Sequence, residues 1–284
     1  MKQTKNMSWL NCIATGLLVF ILTIPMHELF HALTYLIYGD KISWFSAGAV
    51  QSPHLIDPQT LSPFNRIMIC GGSASIMNFI IAIIILFILI KCKKMGATLR
   101  VVLIQLFGAQ MATAVGYFFF GGLIGMGDWG NVWKALADMP GLVTTLRIIL
   151  IAVGAIAIVF TFFVLNYYSY DFIHDPADKK ERFSVASKLH LTMFIMGMTV
   201  PFLTMIKSPM IAAGELTFLD VLFFNMAWIV FFWGFMFTWV MVKHPKESRF
   251  KNDLPAKPNY VLLAISVILV LLDIFVLGPG LFFD

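Results

Sequence analysis

Apolar positions along this chain run in long uninterrupted blocks rather than in the alternating or one-sided patterns of soluble strands and helices. A spanning helix needs about 20 consecutive apolar residues. Seven blocks meet that length: Ser8–Tyr38, Phe64–Ile90, Leu99–Phe120, Leu142–Tyr168, Leu189–Ile206, Leu216–Val242 and Tyr260–Phe283. The pattern predicts an all-α, multi-pass transmembrane helix bundle. The first block is long enough to require tilt or projection from the bilayer. Lys2 and Lys5 before it give a signal-peptide-like start. The apolar run outlasts a signal sequence and no A-x-A pattern follows, so the expectation is a retained spanning helix.

Two connecting segments differ from simple loops. Residues 39–62 contain the run from Ile42 to Val50, followed by Pro53 and Pro58. This reads as a short membrane-associated strand or hairpin ended by prolines, or as an interfacial loop anchored by Trp44. Residues 121–141 are rich in glycine and too polar to span. No repeat or low-complexity stretch divides the chain, so 1–284 is read as one integral membrane domain.

Composition agrees with this picture. Of 284 residues, 60% are hydrophobic and 12% charged, with a mean hydropathy of +0.86. A soluble domain is nearer half apolar and a quarter charged, so an aqueous globular protein and a disordered chain are both excluded. Cys12, Cys70 and Cys92 form no CxxC pair and no disulfide framework. Six histidines are too few for a histidine-rich di-iron site.

The net charge of +5 gains meaning once it is sorted by position. With seven spans, Lys2, Lys5, Lys91, Lys93, Lys94, Arg100, Lys179, Lys180, Arg182, Lys188, Lys243, Lys246, Arg249, Lys251 and Lys257 fall on one side. Lys41, Arg66, Lys134, Arg147 and Lys207 fall on the other. Basic residues accumulate in cytoplasmic loops. The split predicts a cell-membrane protein with a cytoplasmic N-terminus, and it accounts for the basic character without nucleic acid.

An ionisable residue inside a span costs about 2.5–3.5 kcal/mol on insertion scales. The first block carries three within five residues, His27, Glu28 and His31, in the string HELFH. Helical positions i and i+4 lie about 40° apart on one face, so both imidazoles can reach one metal ion. Glu28 lies beside that ion without binding it, where it can take a proton from the attacking water. HExxH with this spacing points to Zn2+ and to hydrolysis. A zinc site needs a third protein ligand. Asp128, in the glycine-rich stretch Gly125–Trp129, is one candidate, and Asp273, in the last block, is its rival. Asp273 also has a plain structural reading as a partner of Arg66, of Arg147 or of a neighbouring helix. Asp220 reads as a helix-terminus residue and His54 as a surface histidine. His174, His190 and His244 fall on the side away from HELFH.

HELFHAL resembles the zinc helix of the site-2 protease family of intramembrane zinc metalloproteases. The second block opens Gly71, Gly72, Ser73, with Asn78 following. This is similar to the family's G-P-x-x-N element, although Ser73, after Gly72, stands where proline is usual. Asp128, about a hundred residues after the histidines, matches the family's third ligand, although Trp129 follows it rather than glycine. The likeness covers residues 20–135, and a protease core over 8–135 with additional spans over 142–284 follows from it. It implies peptide-bond hydrolysis at membrane depth. His27, His31 and Asp128 would be on zinc, Glu28 would be general base, and Asn78 would hold the substrate or its oxyanion. A membrane protein or peptide is the implied substrate, with a strand near 42–50 to receive the unwound chain. Without the resemblance, Asn78 reads as an interhelical hydrogen-bonding residue. Family members commonly hold the metal nearer the cytoplasm, whereas the charge split places HELFH toward the outside. A transporter or metal-handling protein using the same histidines, and a non-cleaving pseudo-protease, are the competing functions. Oligomeric state is not legible.

Overall fold

A computed structural model describes residues 8–53, 56–125, 127–214, 217–218, 221, 245–247, 249 and 257–283. In chain order these form α1 (Trp9–Ile37), β1 (Trp44–Phe45), β2 (Val50–Gln51), α2 (Pro63–Lys91), α3 (Ala97–Ile124), α4 (Asp128–Ala135), α5 (Pro140–Phe172), α6 (Lys179–Met205), α7 (Pro209–Ala212), α8 (Tyr260–Leu277) and β3 (Leu281–Phe282). The fold is an all-α bundle. Six of its helices, α1, α2, α3, α5, α6 and α8, are long and apolar enough to cross a membrane. They correspond to six of the seven expected spans. The remaining one, Leu216–Val242, lies outside the described residues except at 217–218 and 221, as do His54, Asp220 and His244.

At 1.5 Å per residue, the 29 residues of α1 extend roughly 43 Å, more than the ~30 Å hydrocarbon thickness. Pro25 sits inside this helix. It offers no N–H to the carbonyl four residues back, so the hydrogen-bond ladder is interrupted just before His27. The central helix is α3, which packs against α1, α2 and α5. Small residues let its neighbours close in: a Cβ on Gly154 of α5 would lie 2.8 Å from the Phe119 backbone nitrogen. Ile83, Phe87, Ile156 and Phe163 point outward and exposed, as lipid-facing side chains do.

The segment after α1 is a strand pair. Antiparallel β1 and β2 align Trp44 with Gln51 and Phe45 with Val50. A third strand comes from the far end of the chain: β3 pairs antiparallel with β1, Trp44 opposite Phe282 and Phe45 opposite Leu281. The order is β2-β1-β3, so β1 is covered on both sides.

The opposite end of the bundle collects basic groups. Arg100, at the start of α3, donates from Nε to Asp171 Oδ2 at 2.9 Å and makes a second, shorter bond to the same oxygen. Arg249 Nη2 approaches Asp171 Oδ1 at 3.5 Å. Lys188 Nζ lies 5.9 Å from the centre of the Trp9 ring. Asn11 donates to the Lys257 carbonyl at 3.0 Å and accepts from the Asn259 N–H at 2.7 Å. Residues that the charge count assigned to one side therefore meet at one end of the molecule. Cys12, Cys70 and Cys92 are free thiols.

Candidate metal centre

His27 and His31 lie one turn apart on α1, both buried, with ring centroids 5.0 Å apart and ring planes at 84°. Asp128 comes to them from the first turn of α4. Its Oδ2 is 3.0 Å from His27 Nε2 and 3.1 Å from His31 Nε2. One donor atom from each of the three residues falls within 4.8 Å of the others. Tetrahedral zinc with bonds of about 2.0–2.1 Å holds its ligand atoms about 3.3 Å apart, so this triangle has nearly the required size.

Two further observations fit a cation. His31 Nε2 is buried, and its nearest polar neighbour is the Asp128 carboxylate at 3.1 Å. His27 is held between two oxygens, with Nε2 on the Asp128 carboxylate and Nδ1 on Asn78 Oδ1 at 2.6 Å. A neutral imidazole has one N–H. With that proton on Nδ1, the Nε2 lone pair faces a carboxylate, an arrangement that a cation between them would satisfy.

The backbone around Asp128 is built for close approach. Gly71 sits in a π-helical turn, Met68–Gly72, with φ of +141°. A Cβ there would come within 2.6 Å of Asp128 Cβ. Gly127, just before Asp128, has φ of +56° and ψ of −142°, and a Cβ on it would strike the Tyr117 ring at 2.6 Å. Both positions require glycine on conformational and steric grounds. Trp129 then anchors α4: its indole N–H donates to Ser75 Oγ at 3.1 Å, and its ring packs on Phe118 and Trp133. Trp129 is thus the residue that pins the aspartate's helix to α2.

Glu28 is buried beside the cluster, where it interacts electrostatically with His31, His27 and Asp128. Asn78 is fully buried, its Oδ1 on His27 and its Nδ2 donating to Gln110 Oε1. The structure therefore places Asn78 behind a histidine. Asp273 lies elsewhere. It accepts from Thr204 Oγ1 at 2.9 Å and belongs to no cluster with the histidines. Its suggested partners are otherwise engaged: Arg66 with Asp138, and Arg147 with the Gly122 carbonyl. His190 contacts Ser169, and His174 contacts Glu181.

The sequence reading missed Tyr117, whose ring stacks on His27 at 4.9 Å and 11°, and it missed Gln110. Neither belongs to a motif, and each reaches the site only because α3 passes behind α1. No family model matches the chain, and no curated protein or solved structure matches it either.

Proposed function

We propose that this protein is an intramembrane zinc metalloprotease that hydrolyses peptide bonds of membrane-embedded protein or peptide substrates. The observation that carries the reading is the convergence of His27 Nε2, His31 Nε2 and Asp128 Oδ2 inside a helix bundle, with buried Glu28 next in sequence to His27. The likeness of HELFHAL, the Gly71–Asn78 segment and Asp128 to the site-2 protease family supports it. The charge split supports a cell-membrane location with the N-terminus in the cytoplasm.

Zinc held by His27, His31 and Asp128 would supply Lewis acidity and lower the pKa of a coordinated water to about 7. Glu28 takes the proton from the attacking water and returns it to the leaving amine nitrogen. Asn78 keeps the His27 Nδ1–H engaged, so that Nε2 faces the site. Trp129, Val132 and Leu136 form a buried apolar cluster with Phe118, which seats the helix that carries Asp128. A helical substrate satisfies its own backbone and must unwind before attack. The outer edges of β2 and β3, and a cleft of about 510 Å³ lined by Trp44, Gln51, Lys207, Pro209 and Phe282, offer surfaces for an extended chain.

The deciding experiment compares wild type with Glu28→Gln in liposomes carrying a model transmembrane substrate. Both are expected to hold one zinc per chain, and only wild type is expected to cleave. Zinc without cleavage in the wild type would favour a metal-handling or non-cleaving role. Wild-type protein that purifies without stoichiometric zinc refutes every metal-based reading.

A further inference from the structure

Gln110 on α3 is fully buried in a span and belongs to no motif. Its Oε1 accepts a hydrogen bond from Asn78 Nδ2, and Asn78 Oδ1 in turn meets His27 Nδ1 at 2.6 Å. The three side chains come from three different helices: α3, α2 and α1.

An amide has a donor end and an acceptor end of nearly the same shape. Asn78 alone fits against His27 in either of two orientations. With Oδ1 forward, it accepts from Nδ1–H, and Nε2 keeps its lone pair for a metal. With Nδ2 forward, it donates to a bare Nδ1, the ring proton moves to Nε2, and the ligand atom is blocked. In the structure the first orientation goes with an acceptor behind Asn78. Gln110 Oε1 engages Nδ2, and in that pose Oδ1 can only face His27.

We propose that Gln110 is a positioning residue for the metal centre, acting through Asn78 to hold His27 in the tautomer whose Nε2 binds the metal. This deepens the zinc reading above and rests on it. Outer-shell partners of metal-bound histidines typically contribute 10- to 100-fold in metal affinity, and an effect of that size is expected here. Gln110→Met keeps the bulk of the side chain and removes the acceptor.

The test measures Zn2+ dissociation constants by chelator competition on detergent-purified full-length chains, and ligand-field spectra after loading with Co2+. Gln110→Met should weaken Zn2+ binding about tenfold or more and change the Co2+ bands. The decisive comparison is made in an Asn78→Asp background. A carboxylate accepts at both oxygens, so it has no orientation left to select. Adding Gln110→Met to Asn78→Asp should then cost less than twofold. A packing role would produce the same loss in both backgrounds, and that result overturns the proposal. Wild-type affinity and spectrum in Gln110→Met overturn it as well while leaving the zinc reading intact. Should Gln110→Met not fold, Gln110→Leu and Gln110→Glu enter the same cycle. The leucine is expected to reproduce the loss, and the glutamate, still an acceptor, to retain binding; equal losses from the two refute the idea. Failure of the wild type to bind Zn2+ or Co2+ sinks the parent reading and this one together.

Discussion

Gly71 and Asp128 are in contact with no room for a side chain between them: a Cβ on Gly71 would sit 2.6 Å from Asp128 Cβ and 2.7 Å from its carbonyl oxygen. The position of the carboxylate is therefore set by a bare stretch of backbone in α2, fifty-seven residues earlier. Gly71→Ala meets two penalties. A non-glycine residue at φ of +141° costs of order 1–3 kcal/mol, and the new methyl pushes Asp128 off the histidines. We expect zinc content after gel filtration to drop to a small fraction of wild type. Gly116→Ala, in α3, where a Cβ meets nothing within 4 Å, should keep its zinc.

The two aspartates that the sequence could not separate have different fates. Asp128→Ala should abolish stoichiometric zinc, because it removes the oxygen shared by both imidazoles. Asp273→Asn should leave zinc unchanged, since Asp273 sits against Thr204. Metal analysis of both purified variants checks the assignment, and zinc loss in Asp273→Asn with retention in Asp128→Ala would reverse it.

What was legible in the sequence follows from the range of the interactions involved. Spanning helices depend on local apolar length, so seven blocks stood out, and six of them are long apolar helices among the described residues. His27, Glu28 and His31 share one helix, and their register is fixed by helical periodicity. Asp128 and Asp273 were both plausible because nothing in a linear pattern measures the distance from α1 to α4. The partner strand β3 lies more than two hundred residues from β1 and has only two residues, too few to announce itself. Trp129 is placed by Ser75, fifty-four residues earlier, a contact that no linear pattern carries. Gln110 and Tyr117 carry no motif at all, since their roles come from helix packing.

Trp129 should matter through its hydrogen bond as well as its bulk. Trp129→Phe gives up the bond to Ser75 Oγ and should lower stability by about 1 kcal/mol. Ser75→Ala should cost a similar amount, and the double variant little more than either, because the two share one interaction. Thermal unfolding in a single detergent gives the comparison.

At the other end of the bundle, Arg100 and Asp171 form a buried ion pair. Arg100→Met takes the closest cation away from a buried carboxylate and leaves Arg249 Nη2 at 3.5 Å. A loss of about 3–5 kcal/mol is expected. Arg100→Met combined with Asp171→Leu should recover much of that loss, because the buried carboxylate is removed together with its closest cation. Unfolding midpoints of the single and double variants test this, and an undiminished loss in the double variant refutes it.

Metal removal should register as a stability change. A ligand bound only by the folded state contributes RT ln(1 + [L]/Kd), about 2.7 kcal/mol at one hundred times Kd. Wild type should therefore melt lower after chelation and recover on adding Zn2+, whereas Asp128→Ala should melt at the same temperature with or without chelator.

The pairing of β1 with β3 also bears on the order of assembly. α1, α2, α3 and α4, which carry His27, His31 and Asp128, are all made before residue 136. They can come together while the rest of the chain is still on the ribosome. β1, by contrast, waits with one edge bare until α8 has entered the membrane and residues 281–282 arrive. During synthesis the candidate metal ligands would thus be gathered early, while the bare edge of β1 stays open to any extended segment that passes. The closing of that edge marks the moment when the newborn chain stops being able to present itself to its own sheet.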